Sequence, residues 1–245
     1  MLKFLRENFK ITNDCIILAT PMVIFFISIQ WFIQTFQNIL SLPANNIAFY
    51  LTLWIWISGC FAGWFYMTKK TLQFSKKTFL YDTDRSTALT KLFLCLFKGV
   101  GKFFVSFLIM VAVCFCFKLL KYGLLLSLFK LPYKLDISQV SIISIAIVLI
   151  FWYFFIYWIP EIVYNYTNAF KAMINSVKMT ILSFKNTFPL YIFMVLIGIL
   201  LRIIIFMAED NPFTYFLLII LTYYYLLYFI LIIFRDYERN YVTKN

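Results

Sequence analysis

Histidine is absent from this 245-residue chain, and acidic residues are scarce, with ten Asp and Glu against 22 Lys and Arg. Without histidine there is no Ser-His-Asp triad, no His-ligated metal or haem and no histidine proton relay. The six glycines form neither a P-loop nor a dinucleotide fingerprint. The five cysteines lie in or beside apolar runs without zinc or disulfide spacing, which indicates small apolar fillers. We therefore predict no metal site and no cofactor.

Long apolar runs take up most of the sequence. With 64% hydrophobic residues and a mean hydropathy of +0.89, the chain is too apolar for an ordinary water-soluble domain. The runs are continuously apolar and long enough to cross a bilayer as helices, whereas barrel strands would alternate with polar residues. We predict an all-α, polytopic membrane helix bundle, a single integral membrane domain over residues 1–245. Its six spans are expected near 16–36, 47–66, 103–119, 140–159, 187–207 and 213–234.

Basic residues are distributed unequally between the two sides of the predicted membrane. Seventeen of the 22 lie before the first span, after the last, or in the connections from span two to three and from span four to five. Basic residues in short connections resist translocation, so both termini are predicted to be cytoplasmic. The formal net charge of +12 then predicts attraction to anionic headgroups. A nucleic-acid partner is disfavoured, because no nucleic-acid motif accompanies the charge.

Three amphipathic segments lie near 2–12, 86–98 and 161–185, each preceding an odd-numbered span. Their apolar residues recur at helical spacing with basic residues around them, which predicts interfacial helices in the headgroup plane. Phe-Lys pairs at 9–10, 97–98 and 184–185 suggest a threefold repeat of interfacial helix and spans. The alternative is two or three independent juxtamembrane helices. The side chains predicted to contact headgroups are Lys91, Lys98, Lys102, Lys171, Lys178 and Lys185.

A family resemblance involves the segment after span four. Ile159-Pro160-Glu161-Ile162-Val163 is followed by Ala169-Phe170-Lys171-Ala172, by Asn175-Ser176-Val177-Lys178 and by Ser183-Phe184-Lys185-Asn186. This succession resembles the six-span membrane domain found beside bacterial glycerophosphodiester phosphodiesterases, and related uncharacterised families. The resemblance implies a bacterial cytoplasmic-membrane location and a six-helix fold, with no catalytic residues to transfer. No segment here is long enough to hold the phosphodiesterase barrel.

Two charged residues are candidates for a substrate site or polar path. Arg202 lies inside span five, where a charge is a functional hypothesis by default, although an arginine near a span end can also snorkel to the interface. Glu161 follows Pro160 at the end of span four and is interpreted either as a cation or substrate ligand or as an acid favoured by the dipole at a helix start.

Three further patterns concern the arrangement of the spans. Gly59 and Gly63 form a Gly-x-x-x-Gly motif, which predicts close helix packing within the chain rather than dimerisation. Gly99 and Gly101 are expected to hinge the second interfacial helix into span three. Tyr223, Tyr224 and Tyr225 lie inside span six rather than in an aromatic belt, and either line a polar passage or bond to neighbouring helices.

These patterns favour a non-enzymatic membrane protein. The spans contain neither paired acids nor histidine, which disfavours an intramembrane enzyme. The leading interpretation is a lipid-associated scaffold or docking subunit of a bacterial cytoplasmic membrane, with a possible protein partner on the cytoplasmic face. The alternative is a small transporter or lipid-handling permease, in which Arg202 and the tyrosines line the path. The oligomeric state remains open.

Overall fold

The computed structural model describes residues 2–38, 47–75, 85–129, 137–165, 168–207 and 211–242, and these contain helices and turns but no strand. The predicted all-α class is confirmed. In chain order the helices are α1 (Leu2–Asp14), a 3-10 turn (Ile16–Leu18), α2 (Ala19–Asn38), α3 (Ile47–Ser75), α4 (Arg85–Phe129), α5 (Ile137–Phe154), α6 (Trp158–Asn165), α7 (Ala169–Leu182), α8 (Phe184–Met207), α9 (Pro212–Tyr237) and a π-helical turn (Glu238–Val242).

Length and composition identify the spans. Within the described part of the chain, five helical stretches are long and apolar enough to cross a membrane, and α1 with α2, bent by 72° at their junction, make a sixth if taken together. The surface of α8 also fits a lipid environment. Its side chains Ile199, Ile203 and Phe206 are exposed, and water would solvate them poorly. The chain is a multi-pass integral membrane protein.

Helices α3 and α4 form the central antiparallel pair. Tyr50, near the start of α3, lies beside Phe115, late in α4, whereas Tyr66, late in α3, packs against Phe103. Phe65 of α3 is stacked between Phe107 of α4, at a centroid distance of 5.6 Å, and Phe234 of α9, at 6.0 Å. These stacked rings join α9 to the central pair and form the middle of the core.

The helix predicted over 86–98 differs from the structure. It is the first part of α4, a single 45-residue helix that continues through span three. At about 1.5 Å per residue such a helix is roughly 68 Å long, well beyond a hydrocarbon core of about 30 Å. Gly99 and Gly101 do not hinge it, because Gly99 is packed against α3 and no proline interrupts the backbone hydrogen bonds. This segment therefore extends along the axis of α4 instead of turning into the headgroup plane.

The segment predicted as one helix over 161–185 is divided among α6, α7 and the first residues of α8. Asn168 begins α7 by accepting the Phe170 N–H at 3.2 Å, and Ser183 ends it. The three predicted repeat units are thus unequal: α1 meets α2 at a bend, α7 is separated from α8, and α4 has no break at all. The described helices therefore do not form three equivalent units, and the second segment is not a separate helix at all.

The predicted N-terminal helix corresponds to α1, which packs against α9. Leu5, Asn8 and Thr12, spaced by three and four residues, are buried along one face. The Tyr228 hydroxyl donates to the Leu5 carbonyl at 3.1 Å, and Arg235 donates to the Asn8 amide oxygen at 3.0 Å. The face of α1 that hydropathy assigns to the membrane interface is therefore covered in part by protein.

Candidate functional site

The helical backbone is interrupted between α5 and α6, at residues 155–157, next to the main polar cluster. Pro160 has no N–H to donate to the carbonyl one turn earlier, and its ring disfavours continuous helix there, so the turn at 155–157 lies where the sequence requires it. The Tyr157 N–H donates to the Ser176 hydroxyl at 3.2 Å. Ser176 and Thr180 in turn donate to the Phe154 carbonyl, at 3.1 and 3.3 Å. Polar side chains of α7 thus bond to two of the backbone groups at the interruption, the Tyr157 N–H and the Phe154 carbonyl.

Glu161, in the first turn of α6, is 1% exposed. Its Oε1 accepts a hydrogen bond from the Asn175 amide of α7 at 2.8 Å. Its Oε2 accepts from the Asn165 amide at 2.9 Å and from the Tyr237 hydroxyl of α9. A buried carboxylate is stable only with such donors, and here the donors come from three helices. Glu161 is therefore a polar tie between α6, α7 and α9.

Lys69 of α3 reaches the other end of α6. Its ammonium group, 5% exposed as a residue, donates to the Val163 carbonyl at 2.9 Å and lies 4.6 Å from the centroid of the Tyr164 ring. The last carbonyls of a helix lack partners within that helix, and a cation is favoured there by the helix dipole. Lys69 therefore fixes the end of α6 to the central helix pair.

Replacing Lys69 with methionine is expected to lower the free energy of unfolding by about 1 kcal/mol, because the aliphatic stem remains while a charged donor to a buried carbonyl is lost. Thermal unfolding of the detergent-solubilised protein measures the change. The matched control is Lys70→Met, since Lys70 donates to an exposed group, the Gln73 amide oxygen at 3.0 Å, and lies 5.9 Å from the centroid of the Tyr66 ring. Equal unfolding temperatures for the two variants would contradict this role of Lys69.

A second polar cluster surrounds Asp236 at the end of α9. The Tyr157 hydroxyl donates to Asp236 Oδ2, and the Asn240 amide donates to Oδ1 at 3.1 Å. The Tyr157 oxygen is also 3.0 Å from the Thr187 hydroxyl, so α8 joins the cluster. The rings of Tyr157 and Tyr237, whose centroids are 5.9 Å apart, connect it to the cluster of Glu161. Both clusters thus belong to one end of the bundle.

The same end contains a cavity of about 360 Å³ between α1, α8 and the turn after α9. Its wall includes Asp236, two cationic side chains, Lys185 and Arg239, and two amides, Asn186 and Asn240. Among the described residues, no group of three Cys, Asp or Glu is arranged to hold a metal ion. The mixture of cations and amide donors suits an anionic ligand rather than a metal.

The residues proposed for a polar path are not brought together. Arg202 is on the exposed surface of α8, whereas Glu161 is buried at the start of α6. Tyr224 donates to the Asn13 amide oxygen at 2.6 Å, and Tyr225 donates to the Met194 carbonyl. Tyr223 is half-buried, with its ring 5.6 Å from that of Phe26. These tyrosine contacts join α9 to α1, α2 and α8, as expected for packing between helices.

The remaining predicted residues lie at helix contacts or on the surface. A Cβ added at Gly63 would be 2.8 Å from the Leu96 carbonyl oxygen, so α3 and α4 approach closely there, while Gly59 has only an ordinary contact with Phe104. All six lysines assigned to headgroups have exposed side chains: Lys91, Lys98, Lys102, Lys171, Lys178 and Lys185.

Sequence reasoning missed four members of the polar contacts at this end of the bundle: Lys69, Asn175, Asp236 and Tyr237. It counted Lys69 only as a cytoplasmic charge and placed the end of span six before Asp236. One signal was available for Asn175. It lies 14 residues after Glu161, within the segment that carries the family resemblance, so a contact between the two could have been considered.

Comparisons of the chain with protein-family models, with curated proteins and with solved structures give no match. The resemblance to the phosphodiesterase-associated membrane domain therefore stays a prediction based on residues 159–204.

Proposed function

We propose that this chain is a non-enzymatic, lipid-associated scaffold of a bacterial cytoplasmic membrane, with its basic end in the cytoplasm. The observation that carries the proposal is the convergence of basic side chains at one end of the bundle. Lys69 near the end of α3 contacts the end of α6, Asn165 of α6 contacts Tyr237 near the end of α9, and Asp236 lines a cavity with Lys185 at the start of α8. The first part of α4 lies at this end too, beside the last part of α3.

Physical chemistry supports a lipid partner for this end. A basic residue close to an anionic bilayer surface contributes about 1 kcal/mol of attraction, and the effect falls off within a Debye length. Exposed Lys91 and Lys98 on α4 and exposed Lys171 and Lys178 on α7 are available for such contacts. The carboxylates of buried Glu161 and half-buried Asp236, by contrast, receive hydrogen bonds from the protein.

A permease is the second candidate, and the interruption between α5 and α6 is the observation in its favour. Transporters commonly place substrate at broken helices, where backbone groups are free to bind it. Here the Phe154 carbonyl and the Tyr157 N–H are occupied by Ser176 and Thr180 of α7. The interruption thus offers these groups to a neighbouring helix, which supports the scaffold over the permease.

Charge removal from the basic end of α4 is expected to reduce retention of anionic lipid several-fold. The variant K91Q/K98Q is purified from a mixture of anionic phosphatidylglycerol and neutral phosphatidylcholine, and retained lipids are quantified by mass spectrometry. The matched control is K118Q/K121Q, which removes the same charge from the opposite part of the same helix. Equal losses from the two variants would contradict the proposal.

The same preparations test the docking role. Chains that co-purify with the wild-type protein in mild detergent are identified by mass spectrometry, and K91Q/K98Q is expected to recover less of any partner bound at the cytoplasmic end. A lone wild-type chain without lipid preference would contradict the scaffold. Solute flux in proteoliposomes that depends on the wild-type protein would favour the permease.

A further inference from the structure

The cavity between α1, α8 and the turn after α9 differs from the rest of the basic surface, because its polar groups line one partly enclosed volume. At about 360 Å³ it falls within the range of small-molecule sites. Lys185, Asn186 and Arg239 are exposed, so the cavity is open toward the surroundings, while Leu190 is buried behind it. A ligand can therefore enter from the surface and still be partly enclosed.

The charges in the wall favour a monovalent anion. Lys185 and Arg239 contribute two positive charges and Asp236 one negative charge, which leaves a formal charge of +1. Both oxygens of Asp236 already accept hydrogen bonds, from Tyr157 and Asn240. The carboxylate is thus held within its own network. The same wall carries a guanidinium and an ammonium group, whose geometries proteins use to bind phosphate.

The cavity lies beside the ends of two spans, which is where the headgroup layer is expected. Helices α8 and α9 run in opposite directions across the membrane, so the start of α8 and the end of α9 lie at the same face. Lys185 and Asn186 are in the first turn of α8, and Arg239 and Asn240 directly follow α9. Phosphodiester groups of a bilayer lie at this level, between hydrocarbon and water.

The apolar wall suits the remainder of a phospholipid. Phe4, Pro189 and Leu190 line the side of the cavity. Phe4 is held in place by two guanidinium groups, with Arg235 and Arg239 at 5.7 and 5.9 Å from its ring centroid. An apolar strip beside a cationic one is the arrangement expected for a glycerol backbone whose phosphate is bound and whose acyl chains continue into the bilayer.

We propose that this cavity binds the phosphodiester headgroup of one membrane phospholipid, with Lys185 and Arg239 as its charged ligands and Asn186 as a further donor. The proposal rests on the lipid-associated function and deepens it, because it assigns one stoichiometric lipid to a defined site. General attraction of the basic surface would retain many lipids weakly, whereas the cavity would retain a single lipid more tightly.

Native mass spectrometry of the detergent-solubilised protein, loaded with equal amounts of phosphatidylglycerol and phosphatidylcholine, tests the assignment. The wild type is expected to retain one phosphatidylglycerol per chain. In K185Q/R239Q the retained fraction should fall at least about tenfold, because two charge-assisted contacts are lost. The comparison variant K171Q/K178Q removes the same charge from exposed positions on α7. It should lose weakly held lipids but keep the single phosphatidylglycerol of the cavity.

A second variant separates loss of binding from loss of folding. Asn186→Trp keeps every charge but fills the mouth of the cavity, and it should also lose the single lipid while its unfolding temperature stays near that of the wild type. Its normal retention of the lipid would overturn the proposal, whether or not K185Q/R239Q folds.

The remaining outcomes distinguish this proposal from the proposed function. Equal loss in K185Q/R239Q and K171Q/K178Q would overturn the cavity site and leave general lipid association intact. A wild type that prefers neither lipid would overturn both. Displacement of the lipid by millimolar inorganic phosphate would identify a free phosphate anion as the ligand and overturn the lipid assignment.

Discussion

Replacing Glu161 with alanine is expected to lower the free energy of unfolding by about 3 kcal/mol, because it leaves buried donors without their charged acceptor. The carboxylate accepts from Asn165, Asn175 and Tyr237, which belong to three different helices. Alanine removes the acceptor without removing the donors. The orphaned amides and hydroxyl then have to reach water or remain unsatisfied.

Thiol reactivity gives a direct measurement of this effect, since Cys15 and Cys60 are buried in the folded protein. The apparent unfolding temperature of the solubilised protein, followed with a thiol-reactive fluorophore, should fall by roughly 6–12 °C at about 2–4 °C per kcal/mol. The unfolding temperature of Glu161→Gln should lie between those of the wild type and Glu161→Ala. Glutamine keeps one acceptor oxygen, but it directs an amide group toward the donors.

Glu7→Ala is the matched control for the Glu161 variant. The Glu7 side chain is 49% exposed and its carboxylate lies 3.8 Å from the Arg235 guanidinium. A surface ion pair of this kind contributes little, typically under about 1 kcal/mol. If Glu161→Ala unfolded at the temperature of Glu7→Ala, the tie between α6, α7 and α9 would have no energetic importance.

Much of the fold could be predicted from hydropathy, because backbone groups in lipid must be satisfied within helices and long apolar runs therefore become spans. The ends of those helices could not be predicted in this way. Span two was expected to end at Tyr66, but α3 continues to Ser75. Hydropathy predicts that Lys69 faces water, but it is buried in this last part of α3. Its ammonium group donates to the Val163 carbonyl, 94 residues away in the sequence.

The candidate site was only partly accessible from the sequence. Glu161 was singled out because Pro160 and a new helix surround it, and both features are local. Its partner Tyr237 lies 76 residues away on another helix, and no local pattern links the two. Arg202 was left with two interpretations, a polar path or snorkelling to the interface. The structure places it on the exposed surface of α8, which favours the second.

Replacing Gly99 with alanine is expected to lower the free energy of unfolding by about 2 kcal/mol, because overpacking a close helix contact forces the backbones apart. A Cβ at this position would be 2.7 Å from the Ala62 carbonyl oxygen and 3.0 Å from the Gly63 Cα. Both atoms belong to the backbone of α3 and cannot move aside as a side-chain end can. The α3–α4 pair must therefore separate along the core that contains Phe65 and Phe107.

Gly101 provides the matched control, two residues further along the same helix. A Cβ there would meet nothing within 4 Å. Alanine at this position should therefore stabilise α4 by up to about 1 kcal/mol through helix propensity alone. The two Gly→Ala changes thus have opposite expected signs in the same thiol-reactivity measurement. Stabilisation by both would mean that the helices are farther apart at Gly99 than this packing requires, because the gain in propensity would then be unopposed by a backbone clash.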